Sequence, residues 1–196
     1  MATLLARLCS YIFEPFTVSF LTLVLVVNSL GVGLGVKASW LALAVGLIGL
    51  PPILVFVYEK KIGKIKDWFM TNRLERRDVH LAWSLGSISF VLVCWWLQAT
   101  RLLLALGLTF LVLSIIITLV SLYWKISVHM MGVTLFVLVG LLVYSTNFLW
   151  FLGLIPLVAW ARMRLGAHTF LQVSLGTVLT LAATYLVFSS FGLATF

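Results

Sequence analysis

Long apolar runs separated by short polar intervals dominate the chain. The runs fall near residues 16–36, 40–58, 80–98, 102–124, 128–145, 148–161 and 169–192. A helix that crosses a bilayer needs roughly 20 mostly apolar residues, so this spacing predicts an all-α, polytopic helical membrane protein with six or seven transmembrane helices in one bundle. A single integral membrane domain over 1–196 is expected.

Two of these runs need a break between them. An unbroken helix from His129 to Trp160 would be about 48 Å long, against a hydrocarbon core of about 30 Å. Ser145-Thr146-Asn147 is the convincing place for a turn, giving a hairpin with two short arms. Residues 1–15 predict an interfacial N-terminal helix ending at Glu14-Pro15. With one Arg and no small-residue cleavage site, they do not resemble a removable signal peptide. The longest polar interval is 59–80, where Ile62, Ile65, Trp68 and Phe69 fall at helical spacing and predict a helix lying in the interface. The glycines of G-V-G-L-G, residues 31–35, predict close helix packing.

Composition sharpens the class. Hydrophobic residues make up 63% and charged residues 9%, and mean hydropathy is +1.22, far from the quarter of charged residues typical of soluble domains. Cys9 and Cys94 fall at depths too different for a disulfide. Thirteen Lys and Arg against five Asp and Glu give a net charge of +8. Such a balance suits anionic headgroups or a phosphate site, whereas loops this small leave no platform for nucleic acid.

If the hairpin forms, residues 59–80, Lys125 to His129 and Arg162 to His168 are separated by two spans each time and share one membrane face. Most of the basic residues lie on that face, and Lys37 and Arg101 lie on the other. Setting aside the residues with a candidate chemical role leaves Arg7, Lys60, Lys61 and Lys64 against those two. That is a small bias towards the cytoplasm, expected here for a prokaryotic plasma membrane.

Taken together, the three clusters offer guanidiniums, ammoniums, two imidazoles and few carboxylates. This mixture suits a phosphate monoester or diphosphate, because arginine forks bind phosphoryl oxygens bidentately and fixed positive charge stabilises the transition state. Two histidines make a poor metal cage, so neither a metal nor another cofactor is expected. Snorkelling at a helix end would also account for Arg162 and Arg164, and Ser127 could be a plain N-cap.

At Arg162, five spacers, His168, three spacers, Gln172, the chain resembles the third motif of the type 2 phosphatidic acid phosphatase superfamily, with Ala161 and Gln172 where that motif has Ser and Asp. I-S-V-H keeps Ser127 and His129 of the second motif. Lys66 and Arg73 match the spacing of the first, while N-R-L-E-R-R read as a diverged form makes Arg76 the motif arginine. K-I-S-V-H and H-T-F-L-Q are similar to the wording of some bacterial and archaeal branches, and the likeness covers about residues 60–190.

The resemblance implies a metal-independent lipid phosphatase acting on a phospholipid or isoprenoid phosphate or diphosphate. It implies His168 as the nucleophile that becomes a phosphohistidine and His129 as the acid for the leaving oxygen. Arg162, Arg73 or Arg76, Lys66, Lys125 and Ser127 would bind the phosphate. Gln172, one helical turn from His168, would orient it. A neutral amide supports a developing imidazolium less than a carboxylate does, which favours the alternative of a phospholipid or isoprenoid-phosphate binding or transport protein without hydrolysis. The oligomeric state is left open by the sequence.

Overall fold

The computed structural model describes residues 1–194 except 69 and 71, and all of Arg73 but its side chain. Every regular element among the described residues is helical: α1 Ala2–Ile12, α2 Pro15–Ser29, α3 Leu34–Ala44, α4 Leu50–Lys61, α5 Arg77–Trp96, α6 Arg101–Tyr123, α7 Val128–Tyr144, α8 Leu154–Arg164 and α9 Phe170–Ser190. Five stretches are long and apolar enough to cross a membrane: Leu34–Lys61, Leu74–Trp96, Arg101–Tyr123, Val128–Arg164 and Phe170–Ser190. The pair α1 and α2, bent by 48°, would be a sixth. The protein is a polytopic helical membrane protein.

The stretch Val128–Arg164 doubles back on itself. The Phe136 ring lies 5.7 Å from that of Phe151 and 5.2 Å from that of Phe148, whereas a straight helix would set residues 136 and 151 about 22 Å apart. The reversal starts at Ser145, whose φ is +55°. It continues through a 3₁₀ segment, Ser145–Gly153, into α8. Gly140 leaves the space that Phe148 fills, since a Cβ there would lie 2.1 Å from the ring. This is the hairpin expected at Ser145-Thr146-Asn147, so the stretch supplies two arms.

Contacts divide the chain into two units, Met1–Gly31 with Ile126–Phe196, and Val32–Lys125. In the first, Pro15 and Val18 of α2 meet Gly132 of α7, and the Tyr144 hydroxyl donates to the Leu25 carbonyl at 3.0 Å. The two helices therefore run parallel. Cys9, Val18, Met130, Val133, Val158, Ala161 and Val173 belong to one buried cluster drawn from α1, α2, α7, α8 and α9. Helix α1 packs on α8, burying Ala6, Cys9 and Ser10 and exposing Leu4, Leu5, Leu8, Tyr11 and Ile12.

In the second unit, α3 and α4 join through a π turn, Val45–Gly49, in which Leu50 N–H donates to the Val45 carbonyl. Pro51 and Pro52 cause the wide turn, because neither can donate to the carbonyl four residues back. Gly86 of α5 packs against this irregularity, where a Cβ would lie 2.0 Å from the Leu47 carbonyl oxygen. Gly107 of α6 lies against Phe90, where a Cβ would be 3.0 Å from the ring.

Two sequence expectations are corrected here. Residues 62–68 do not form an interfacial helix. Gly63, at φ +76°, ends α4, with Gly63 N–H donating to the Lys60 carbonyl and Lys64 N–H to that of Glu59, the double bond of a Schellman cap. Ile65 is buried and Trp68 meets Phe56 edge-on at 5.3 Å; Phe69 lies outside the described residues. The glycines at 31, 33 and 35 do not serve close packing either, because a Cβ at any of them meets nothing within 4 Å.

Candidate functional site

The spacing between Arg162 and His168 is the geometry of a helix cap. Gly166 takes φ +63°, its N–H donates to the Met163 carbonyl at 2.9 Å, and the Ala167 N–H donates to the Arg162 carbonyl at 3.1 Å. This is a second Schellman turn. His168 N–H approaches the same Arg162 carbonyl at 3.4 Å, so the turn folds His168 back over the end of α8. Arg162 and His168 are 3% and 7% exposed, whereas Arg164 faces outward. Burial removes snorkelling as an account of Arg162.

The next turn fixes the imidazole. Thr169 caps α9: its Oγ1 accepts from Gln172 N–H at 3.4 Å, and Gln172 Oε1 accepts from Thr169 N–H at 3.2 Å. This reciprocal pair is a capping box. The same Oε1 lies 3.2 Å from His168 Nδ1. An amide oxygen only accepts, so Nδ1 carries the proton and the neutral ring has its lone pair on Nε2. Gln172 thus has a structural reason to be Gln as well as a candidate chemical one.

His129 is fixed the other way round. Its Nε2 lies 3.3 Å from the Ser10 carbonyl of α1, an acceptor, so here Nε2 carries the proton. Beside Ser10, the Cys9 thiol is within electrostatic reach of the Arg162 guanidinium. The end of α1 therefore holds His129 and packs on the helix that carries Arg162. Gly176 of α9 packs at the start of α7, where a Cβ would lie 3.0 Å from the Ser127 carbonyl. Ser127 occupies the N-cap of α7 without capping it; its side chain is wholly buried, and its hydroxyl lacks a hydrogen-bond partner among the described residues.

His129, Arg162, His168, Gln172 and Ser127 all belong to the first unit, around one apolar cluster that includes their neighbours Met130, Ala161 and Val173. The only carboxylate side chain in that unit is Glu14, and its oxygens accept from Phe16 N–H and from the Thr17 amide and hydroxyl at the start of α2. Sequence reasoning missed Cys9 and Ser10. The signal was present: with Ala6 they form a face of small residues at helical spacing, opposite a bulky apolar one.

Lys66, Arg73, Arg76 and Lys125 belong to the second unit. Arg76 is buried and donates from Nε to the Met70 carbonyl at 2.6 Å, with Asp67 and Glu75 in electrostatic reach. Glu75 accepts from Lys66 N–H at 3.1 Å. These contacts tie Lys66 and Met70 to the entry of α5. Lys66 is exposed and Lys125 half-buried, while the Arg73 side chain lies outside the described residues. Lys64 bridges the buried Glu59 carboxylate and Asp78.

No family model, curated protein or solved structure matches the chain.

Proposed function

We propose that the protein is a membrane-embedded lipid phosphatase, hydrolysing a phospholipid or isoprenoid phosphate or diphosphate at the site formed by His168, His129, Arg162, Gln172 and Ser127. The observation that carries this reading is the opposite tautomers of the two imidazoles. His168, protonated on Nδ1, presents the Nε2 lone pair a nucleophile needs. His129 commits its Nε2 proton to the Ser10 carbonyl, which leaves Nδ1 to take up the proton that the leaving oxygen needs.

In the first step the His168 Nε2 lone pair attacks phosphorus and the bond from phosphorus to the lipid oxygen breaks. The leaving oxygen takes the Nδ1 proton of His129 in its imidazolium form, while Nε2–H stays on the Ser10 carbonyl. The phosphohistidine is then attacked by water, which gives a proton to His129, and phosphate departs with His168 restored. Arg162 supplies a planar two-pronged donor for the phosphoryl oxygens. The excess of Arg7, Arg162 and Arg164 over Glu14 in this unit favours an anionic ligand. Acyl or prenyl tails would stay in the bilayer, consistent with a chain this apolar.

A second reading keeps the phosphate pocket without hydrolysis. It is favoured by Gln172 Oε1, which is shared with the Thr169 amide and brings no negative charge to a developing imidazolium. One experiment separates them. Purified protein is given dioleoyl phosphatidate, then undecaprenyl diphosphate, and released phosphate and acid-labile protein-bound phosphate are both measured. A phosphatase gives both, and both vanish in His168→Ala. Lipid binding with no phosphate release, or unchanged release from His168→Ala, overturns the catalytic reading.

A further inference from the structure

We propose that Ser10 of α1 is a hydroxyl donor of the phosphate pocket, binding a phosphoryl oxygen beside His129. The proposal rests on the phosphate-site reading above and adds an element outside every motif that suggested it.

Two independent observations support it. The first is placement: the Ser10 carbonyl holds His129 Nε2, and its neighbour Cys9 is in electrostatic reach of Arg162. Ser10 therefore belongs to the short piece of chain that holds one of the proposed site residues and packs on the helix that carries another. The second is an unmade bond. The Ser10 side chain is wholly buried, yet its hydroxyl has no hydrogen-bond partner among the described residues.

Other hydroxyls of the protein, the buried Thr22, Thr109 and Thr180 among them, do make a local bond. Thr22, Ser29, Ser39, Ser84, Thr109 and Thr180 each donate to a carbonyl three or four residues back, at 2.7–3.0 Å. A helical serine has this bond within reach by a χ1 rotation, so a buried hydroxyl that leaves it unmade suits a partner from elsewhere. Ser87, Thr134 and Thr184 also lack partners. Ser10 differs from them in being bonded through its own backbone to an imidazole. Ser127, two residues before His129, is likewise a buried hydroxyl without a partner. Two residues with buried, partnerless hydroxyls are thus tied to His129, one through its carbonyl and one two positions before it in the chain, in a unit whose charge favours an anion.

Ser10→Ala tests the proposal, because it removes the hydroxyl and keeps the carbonyl on His129. The full-length chain in nanodiscs is titrated with inorganic phosphate, following the rise in Tm, and phosphate release from phosphatidate is measured with and without added phosphate as inhibitor. A hydrogen bond to a charged group corresponds to a loss of roughly ten-fold or more. Ser10→Ala is therefore expected to need about ten-fold more phosphate for the same Tm rise and the same inhibition, and to raise KM more than it lowers kcat. Without ligand its Tm should equal or exceed that of the parent, since a buried hydroxyl without a partner destabilises. Equal phosphate protection of parent and variant would overturn the role of Ser10 and leave the phosphatase reading standing. So would a lowered ligand-free Tm with unchanged protection, the mark of a merely structural serine. A parent chain that neither gains Tm from phosphate nor releases it from lipid would remove the phosphate site and Ser10 together.

Discussion

His168 Nδ1 and Gln172 Oε1 lie 3.2 Å apart across the first turn of α9, and the same oxygen accepts the Thr169 amide. One atom thus closes a helix end and sets a tautomer, so its loss should show in both stability and turnover. Gln172→Ala is expected to cost about 1 kcal/mol through the lost cap and to lower phosphate release about 10²-fold through a ring free to turn. Gln172→Glu keeps the reach and adds charge; it should retain the Tm and match or exceed parental turnover. A Gln172→Ala variant with parental turnover would separate the oxygen from the chemistry.

Arg162 contributes to the turn through its carbonyl and to the proposed pocket through its guanidinium. Arg162→Lys leaves the Schellman bonds intact and removes the planar fork. Phosphate release should fall about 10²-fold or more, while the Tm falls much less than in a variant that breaks the turn. Kinetics and thermal melts on one preparation read the two effects apart.

Gly166 carries the left-handed conformation that returns the chain to His168. Gly166→Ala forces a Cβ into that region at about 1–2 kcal/mol, with no neighbour within 4 Å to add a clash. A lower Tm with turnover reduced through a displaced His168 is expected, and hydrogen exchange should show loosening confined to 162–170.

Lys64 lies outside the membrane-spanning stretches, and its hydrogen bonds, to Asp78 first and Glu59 second, hold its ammonium above the ordinary lysine value. A pKa raised by folding means that the contribution to stability is complete below the unfolded value of about 10.4 and is lost as pH rises through the higher folded value. Protection of the 59–78 amides should therefore fall above about pH 10.4. In Lys64→Gln it should be lower at neutral pH and lack that alkaline step.

Gly86 meets the Leu47 carbonyl so closely that any side chain must push two helices apart. Gly86→Ala should destabilise by about 3 kcal/mol or more, because the obstructing atom is backbone. Denaturation of the detergent-solubilised protein would measure this; a loss under about 0.5 kcal/mol, the range of a neutral surface change, would contradict the contact.

The apolar runs made the helices legible, since bilayer thickness sets their length, and Ser145-Thr146-Asn147 marked the reversal because so little else in 129–160 could turn. The Arg162, His168 and Gln172 spacing could be read as chemistry before it was visible as architecture. Its five- and three-residue gaps are also those of a Schellman turn at Gly166 and a capping box at Thr169. Other features were hidden for definite reasons. Helical spacing at Ile62, Ile65 and Trp68 was cancelled by one glycine, Gly63, whose cap outweighs periodicity. The glycines at 31–35 resembled a packing motif, while the close approaches occur at single glycines, Gly86, Gly107, Gly140 and Gly176, that no motif announces. Ser10 was invisible because what draws attention to it is a backbone contact, its carbonyl on His129 Nε2, and a carbonyl leaves no mark in a sequence.

The division of the chain bears on the order of its synthesis. Val32–Lys125 is continuous and can assemble as soon as it is made, but Met1–Gly31 needs residues 126 onward. At about 5–20 residues per second, α1 and α2 wait several seconds in the membrane before α7 exists to receive them. During that interval the inner face of α1, Ala6, Cys9 and Ser10, must be sheltered by lipid or by the insertion machinery. Slowing translation between residues 32 and 125 should therefore endanger the first unit more than the second.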